Sequence, residues 1–304
     1  MVAGNDLVPP VQTQLSFCTG GGGLDLGVSL ACRPGGIRLR AAVEIEAYAV
    51  EVLASRMEEG WLDPVPLYPD LRTFPAADYR GVSLVTGGYP CQPFSVAGRR
   101  RGADDPRHLW PIIRGHVDAI RPGWCFFENV PGHLRLGFRE VRDDLRAMGY
   151  RVAAGLFTAE EVGAPHLRER LFILADSGQS DLPLETAGGL LREERAAATG
   201  AGSHVVVAED VGREHPNVVP GAGDHPVAGE RGAVGPGPFW PPHRDDAAAW
   251  TEWLTDRPGT QPWLRRGSDG LAAGMERLHL LGNGVVPVEA AYALHSLHET
   301  LRGR

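Results

Sequence analysis

Lysine is absent from this 304-residue chain, and all 30 of its cationic side chains are arginine. That absence removes one class of function outright, because a phosphate-cradling nucleotide triphosphatase loop ends in Lys-Ser or Lys-Thr and no such loop exists here. GC-rich coding is the simplest account of the bias, and it also fits the abundance of alanine, glycine and proline. Cysteine is scarce: Cys18, Cys32, Cys91 and Cys125 form no CxxC pair and lie near no histidine cluster at zinc-ligand spacing. A metal ion or redox motif is therefore not expected, and the thiols read as reduced cysteines of an intracellular protein. Long apolar runs are also missing. Nothing approaches the roughly 18 residues needed to span a bilayer, and the N-terminus lacks a basic region followed by an apolar core. The expectation is a soluble, cytoplasmic protein with no membrane partner.

Net charge is −8, which taken alone argues against a uniformly basic nucleic-acid binder. Distribution matters more than the sum. Arg99, Arg100, Arg101 and Arg107 cluster in one stretch and Arg168 with Arg170 in another, and guanidinium groups suit bidentate contacts to phosphate or base edges. The alternative for the first cluster is a solvated charged face.

Residues 1 to about 175 alternate short apolar runs with amphipathic stretches, the rhythm of βαβ units in an α/β fold with a mostly parallel, doubly wound sheet. The pattern predicts strands over Gln14 to Cys18, Leu39 to Val43, Val82 to Thr86, Trp124 to Glu128, Tyr150 to Phe157 and Leu171 to Ala175. It predicts helices over Leu24 to Ala31, Ala47 to Met57, Trp110 to Ile120 and Phe138 to Met148, with a last one from Val288 to Leu301. From Asp176 to about Pro242 glycine, proline, alanine and acidic residues dominate. Only Val205 to Val207 and Val218-Val219 are weak strand signals there, and tryptophans return at Trp240, Trp250, Trp253 and Trp263.

Functional sites of such sheets lie in loops at the carboxyl ends of the strands. The run Thr19-Gly20-Gly21-Gly22-Gly23 follows the first strand and opens a helix, so backbone can approach a nucleotide-like ligand without Cβ interference. Glu44 ends the next strand, at roughly the 20-residue spacing of an acid that accepts ribose hydroxyls. Together they point to a nucleoside-bearing cofactor, with a flexible turn and a surface glutamate as the plain alternatives and Glu46 as a competitor.

Cys91 stands in Pro90-Cys91-Gln92-Pro93-Phe94-Ser95, after an apolar strand and Gly87-Gly88. A cysteine is ordinarily a small buried hydrophobe, but prolines on both sides withdraw sheet donors and place this thiol on a constrained loop at a strand end. Nearby arginine would lower its pKa and raise its reactivity. Glu128 ends the apolar run Trp124 to Phe127, where a carboxyl group must be paired or kept protonated. It reads as an active-site acid, or alternatively as a loop-bracing carboxylate.

The segment Gly87 to Ser95, the triplet Glu128-Asn129-Val130, the Arg168-Glu169-Arg170 pair and the stretch Gly282-Asn283-Gly284-Val285-Val286-Pro287 occur in the order and approximate spacing of the DNA (cytosine-5) methyltransferases. The chain resembles that bacterial and phage family over residues 14 to 175 and about 277 to 304. The resemblance implies a Rossmann-like, S-adenosylmethionine-dependent methyltransferase sheet, with S-adenosylhomocysteine as product. It implies a cofactor and catalytic domain from 1–175 and 277–304 and a target-recognition domain over 176–276. Carried over residue by residue, Cys91 resembles the nucleophile that adds to C6 of cytosine and Glu128 the acid at N3. Arg168 and Arg170 resemble the arginines that fix the flipped base. Thr19, Gly20, Gly22, Glu44, Ile45, Asp70, Leu109 and Asn283 resemble cofactor contacts. Pro90, Gln92 and Ser95 would shape the loop over the base, and Arg99, Arg100, Arg101 and Arg107 would meet phosphates. The implied partner is double-stranded DNA, with a cognate restriction endonuclease as functional companion and a monomeric enzyme as the default.

The chain departs from the family in having Ser16-Phe17-Cys18 where many members have Asp-Leu-Phe, so an aromatic contact to adenine is lost or moved to Phe17. His166 stands where a glutamine is usual. Cytosine methylation of RNA and a catalytically weak DNA-binding protein of the same fold remain the alternatives. A nicotinamide oxidoreductase would use the glycine loop and Glu44 but leaves the Pro-Cys-Gln-Pro segment without a role.

Overall fold

In a computed structural model, residues 11–90, 109–164, 166–185 and 284–303 are described, together with the backbone of 204–207. The stretch Gln92 to Arg107, most of 186–283 and Cys91 itself lie outside them. So do Val218-Val219 and the tryptophan-containing segment.

Among the described residues eight strands form a single sheet: β1 (Gln12–Phe17), β2 (Ile37–Val43), β3 (Leu67–Tyr68), β4 (Leu84–Gly87), β5 (Trp124–Asn129), β6 (Arg151–Thr158), β7 (Glu169–Asp176) and β8 (His204–Val207), in the order β3-β2-β1-β4-β5-β7-β6-β8. Pairings from β3 across to β5 are parallel, whereas β7 is antiparallel to both β5 and β6, and β8 is antiparallel to β6. The chain winds outward from β1 through β2 to β3, then restarts on the other side with β4. The carboxyl ends of β1 and β4 therefore flank the topological switch point, where open α/β sheets form their ligand crevice.

Helices cover both faces, which is why the strands read as apolar runs. All six residues of β5 are buried. Period-two alternation divides them. Cys125 and Phe127 join a core under α3 (Trp110–Ile120) and α5 (Phe138–Ala147), and Trp124 and Phe126 join a second core under α1 (Gly23–Ala31). In α3 the buried positions Trp110, Ile113, Val117 and Ile120 fall on one helical stripe, each such side chain worth roughly 1.5–3 kcal/mol on burial. Pro111 sits in the first turn, where its missing N–H loses nothing. Among the described residues, helix α2 (Ala47–Glu58) and the short α4 (His133–Leu136) complete the helices before α6 (Pro287–Arg302).

Helix α6 buries Ala290, Ala291, Ala293, Leu294, Leu297 and Leu301. It lies so close to α1 that a Cβ on Gly27 would stand 2.6 Å from Ala290 Cβ and 2.7 Å from the Pro287 carbonyl oxygen. Only glycine permits that approach. The last helix thus packs directly on the helix that follows the first strand. Residues just after Asp176, grouped with the smaller lobe on composition, also pack here: Leu182 is buried in the second core, and Glu185 N donates to Ala31 O at 3.0 Å. The four-residue β8 extends the sheet itself. No described helix is long and apolar enough to cross a membrane.

Candidate active site

A cleft of about 760 Å3 opens at the switch point, within the size range of small-molecule sites. Its walls include Thr19, Gly20, Glu44, Ile45, Asp70, Leu109, Pro90 and Glu128. The glycine loop makes its turn through left-handed conformations, with φ of 55° at Gly20 and 76° at Gly22, the residue that caps α1. Glu44 is 6% exposed, and its two oxygens accept from Gly20 N at 2.6 Å and Glu46 N at 2.8 Å. A carboxylate has about four acceptor sites, so a ligand diol still finds acceptors there. Arg56 of α2 braces the same loop, donating to the Gly21 carbonyl at 2.5 Å.

Ile45 is 66% exposed beside this loop, an apolar surface left open at the cleft. Asp70 uses Oδ1 to accept from Arg72 N at 2.9 Å and caps a short 3₁₀ turn. Gly22 is not among the lining residues and acts through the turn. The ring of Phe17 is fully buried, edge-on to Phe74 at 5.4 Å, because strand alternation points it under α3. Phe17 nevertheless counts among the residues lining the cleft. Asn283 lies outside the described residues, while its neighbours Gly284 and Val285 line the cleft.

Beneath the loop lies a polar cluster that sequence reasoning missed. Asp25, 5% exposed in the first turn of α1, accepts from Gln14 Nε2 at 2.6 Å, Ser16 Oγ at 2.8 Å and Thr86 Oγ1 at 3.0 Å. Burial raises the Asp25 pKa, while hydrogen bonds from Ser16, Thr86 and Gln14 oppose the rise. The available signal was Gln14 and Ser16, two residues apart on one face of an internal strand, where polar side chains require a partner.

At the other side of the cleft, Glu128 is 7% exposed at the end of β5 and pairs with Arg170, whose Nε stands 3.0 Å from Oε1. Burial pushes its pKa up to about 7, against the lowering effect of the Arg170 and Arg168 charges. The carboxyl is thereby held near the balance point at which it can give or take a proton at neutral pH. Arg168, with φ of 34°, donates through Nη2 to the carbonyl of Gly284. Gly88 passes directly over the acid: a Cβ at Gly88 would be 3.3 Å from Glu128 Oε2.

A second buried carboxyl, Glu289, stands in the first turn of α6 with 0% exposure, and neither oxygen finds a hydrogen-bond partner among the described residues. Burial pushes its pKa up to about 9, Arg170 and Arg168 opposing and Glu128 reinforcing the rise. In the sequence it reads as an ordinary acid near a helix N-terminus. Burial also suppresses the three described thiols: Cys18 and Cys32 are raised to about 12 and Cys125 further still. Among the described residues no three His, Cys, Asp or Glu side chains converge as metal ligands.

The sheet and crevice define a Rossmann-like methyltransferase domain with a nucleoside-sized cleft and an acid–arginine site on one rim. The model of the C-5 cytosine-specific DNA methylase family matches residues 13–194, and the chain belongs to that family. It is 34% identical over 171 residues to the Type II methyltransferase M.NaeI of Lentzea aerocolonigenes, covering 53% of this chain and 39% of that one. It is 32% identical over 167 residues to the Type II methyltransferase M.NgoMIV of Neisseria gonorrhoeae, covering 54% and 51%. The chain thus spans about half, or less, of the length of these curated relatives. Among solved structures, a DNMT2 mutant of Spodoptera frugiperda shares 21% identity at a TM-score of 0.47, covering 56% of this chain and 51% of that one.

Proposed function

We propose that this chain is a DNA cytosine-5 methyltransferase that transfers a methyl group from S-adenosylmethionine to C5 of a cytosine flipped out of a specific duplex site. The observation that carries the reading is the buried Glu128–Arg170 pair lying under Gly88, three residues before Cys91.

The cofactor fits the residues present. Glu44 keeps acceptor capacity for a ribose diol at the tip of the glycine loop, Ile45 and Leu109 offer apolar surface for a purine, and Asp70 is placed for its amino group. When bound, S-adenosylmethionine supplies an electrophilic methyl on a sulfonium. Everything else falls to the chain. C5 of cytosine is a weak nucleophile, so the Cys91 thiolate adds to C6 while Glu128 delivers a proton to N3, leaving electron density on C5. C5 takes the methyl, leaving S-adenosylhomocysteine, and then gives its own proton to water at the site, the C5–H electrons forming the C5–C6 double bond as the C6–S bond breaks to return the Cys91 thiolate. The N3 proton goes back to Glu128. A carboxyl near its balance point at neutral pH suits both transfers. Cys91 is favoured as nucleophile because burial suppresses Cys18, Cys32 and Cys125.

A base stacked in a duplex is out of reach, so flipping takes a few kcal/mol that protein contacts must offset. Arg168 would hold the flipped base, and Arg99, Arg100, Arg101 and Arg107 would contact phosphates, fixing position rather than sequence. Sequence readout is assigned to the lobe within 176–276, and a partner endonuclease would make the pair a restriction-modification system. The test is incubation with methyl-labelled S-adenosylmethionine and mixed duplex DNA, followed by nucleoside analysis. Label in 5-methyl-2′-deoxycytidine is expected. Label only in RNA, or none while cofactor binds, would overturn the reading.

A further inference from the structure

The last described residues before Cys91 are gripped by side chains that the chemistry above does not use. Tyr89 is 4% exposed, and its hydroxyl lies 3.0 Å from His133 Nε2. Its ring meets His133 edge-on at 5.5 Å, Phe127 edge-on at 5.9 Å and Trp110 at 5.8 Å. Its carbonyl oxygen accepts from Asn129 Nδ2 at 3.0 Å, while Asn129 Oδ1 accepts from Val130 N at 2.9 Å. One residue is thus fixed at its backbone by the neighbour of Glu128 and at its far tip by α4.

Packing alone does not call for this arrangement, since phenylalanine would fill the same apolar space without burying a hydroxyl that needs a partner. His133 is 2% exposed, and burial lowers its pKa to about 4, so the ring is a neutral imidazole able to donate or accept. The backbone of Gly137 lies against the ring: a Cβ there would stand 2.5 Å from His133 Cε1. Between Tyr89 and Cys91 there is only Pro90, whose ring fixes its own φ and narrows the conformations open to Tyr89.

We infer that Tyr89 and His133 form a positioning pair that sets the backbone leading into Cys91 relative to Glu128. The inference rests on Cys91 being the nucleophile. Neither residue touches the substrate; both act through the placement of Pro90. Reacting groups are sensitive to such placement, a 1 Å error being worth about a hundredfold in rate.

Tyr89→Phe removes one oxygen and keeps the ring. Single-turnover methyl transfer at saturating DNA and cofactor should fall about tenfold, the worth of one buried hydrogen bond. The KM for S-adenosylmethionine should not change. His133→Leu should lower the rate similarly, His133→Gln should restore part of it by still reaching the hydroxyl, and Tyr89→Phe/His133→Leu should be no slower than the slower single variant. Unchanged cofactor binding by each variant shows that it is folded. Wild-type rates in Tyr89→Phe, or a raised KM at constant rate, would overturn the pair while leaving the proposed activity standing. Absence of transfer by the unmodified chain would overturn both.

Discussion

Arg170 Nε stands 3.0 Å from Glu128 Oε1, although the two residues belong to strands running in opposite directions. That reversal creates the site. Had β7 run parallel to β5, its start would lie at the amino ends of the parallel strands, a strand length from Glu128. Because β7 is antiparallel, with Asn129 opposite Leu171 and Glu128 opposite Phe172, its first residues return to the rim where β5 ends.

The ion pair has a consequence for the pH dependence of the reaction. Arg170 opposes the upward push of burial on Glu128, so Arg170→Ala lets the Glu128 pKa rise above its present value of about 7. If the protonated acid is the active form, the alkaline limb of single-turnover rate against pH moves to higher pH, by on the order of one unit. The rate itself falls at least tenfold because the acid loses its orientation. A limb that moves to lower pH contradicts protonated Glu128 as the working form.

Glu289 makes folding stability depend on pH. Its folded pKa of about 9 lies above the ordinary 4.5, so the folded chain holds a proton that the unfolded chain releases between those values. Its contribution is complete below pH 4.5 and is lost as pH rises toward 9, with a slope of up to about 1.4 kcal/mol per pH unit. Denaturant titrations of Glu289→Gln against the unmodified chain should show the variant gaining relative stability steadily from pH 5 to pH 9. A constant difference would show that Glu289 does not titrate in that window.

Glu44→Ala removes both the acceptor offered to the ribose and the 2.6 Å bond to Gly20 N. Calorimetry should find S-adenosylhomocysteine binding weakened by roughly 10- to 100-fold, the loss of one or two charge-assisted hydrogen bonds. Glu44→Gln, which keeps one acceptor oxygen, should fall between the two.

Asp25→Ala removes the acceptor shared by Gln14, Ser16 and Thr86, leaving Gln14 Nε2 with Thr86 Oγ1 and Thr86 Oγ1 with the Leu15 carbonyl, each at 3.1 Å, while the Ser16 hydroxyl loses its acceptor. The expected loss is about 2–4 kcal/mol in chemical denaturation. Asp25→Asn should lose less, because the Ser16 and Thr86 hydroxyls can rotate to accept from the new amide. Equal losses would mean that the two carboxylate acceptors, rather than the volume that asparagine keeps, hold this junction of β1, β4 and α1.

Much of the architecture was legible because buried strands and amphipathic helices write themselves as periodicity. The helix over Trp110 to Ile120 has the expected bounds, and the interior strand expected over Trp124 to Glu128 runs Trp124–Asn129. Strand direction leaves no such trace: an apolar run like Leu171 to Ala175 reads alike in either orientation. β3 escaped because two residues carry no period. Glu44 and Glu128 could be picked out since each carboxyl follows an apolar strand. Asp25, His133 and Glu289 could not, because their roles depend on partners distant in sequence.

Duplex DNA carrying 5-fluorocytosine tests the central claim most directly, because fluorine cannot leave C5 as a proton does and the adduct persists. With S-adenosylmethionine present, a denaturant-resistant protein–DNA complex should form, and peptide mapping should place the attached base on Cys91. Cys91→Ser should abolish the complex. A complex that survives Cys91→Ser, or one mapped to another residue, contradicts the account.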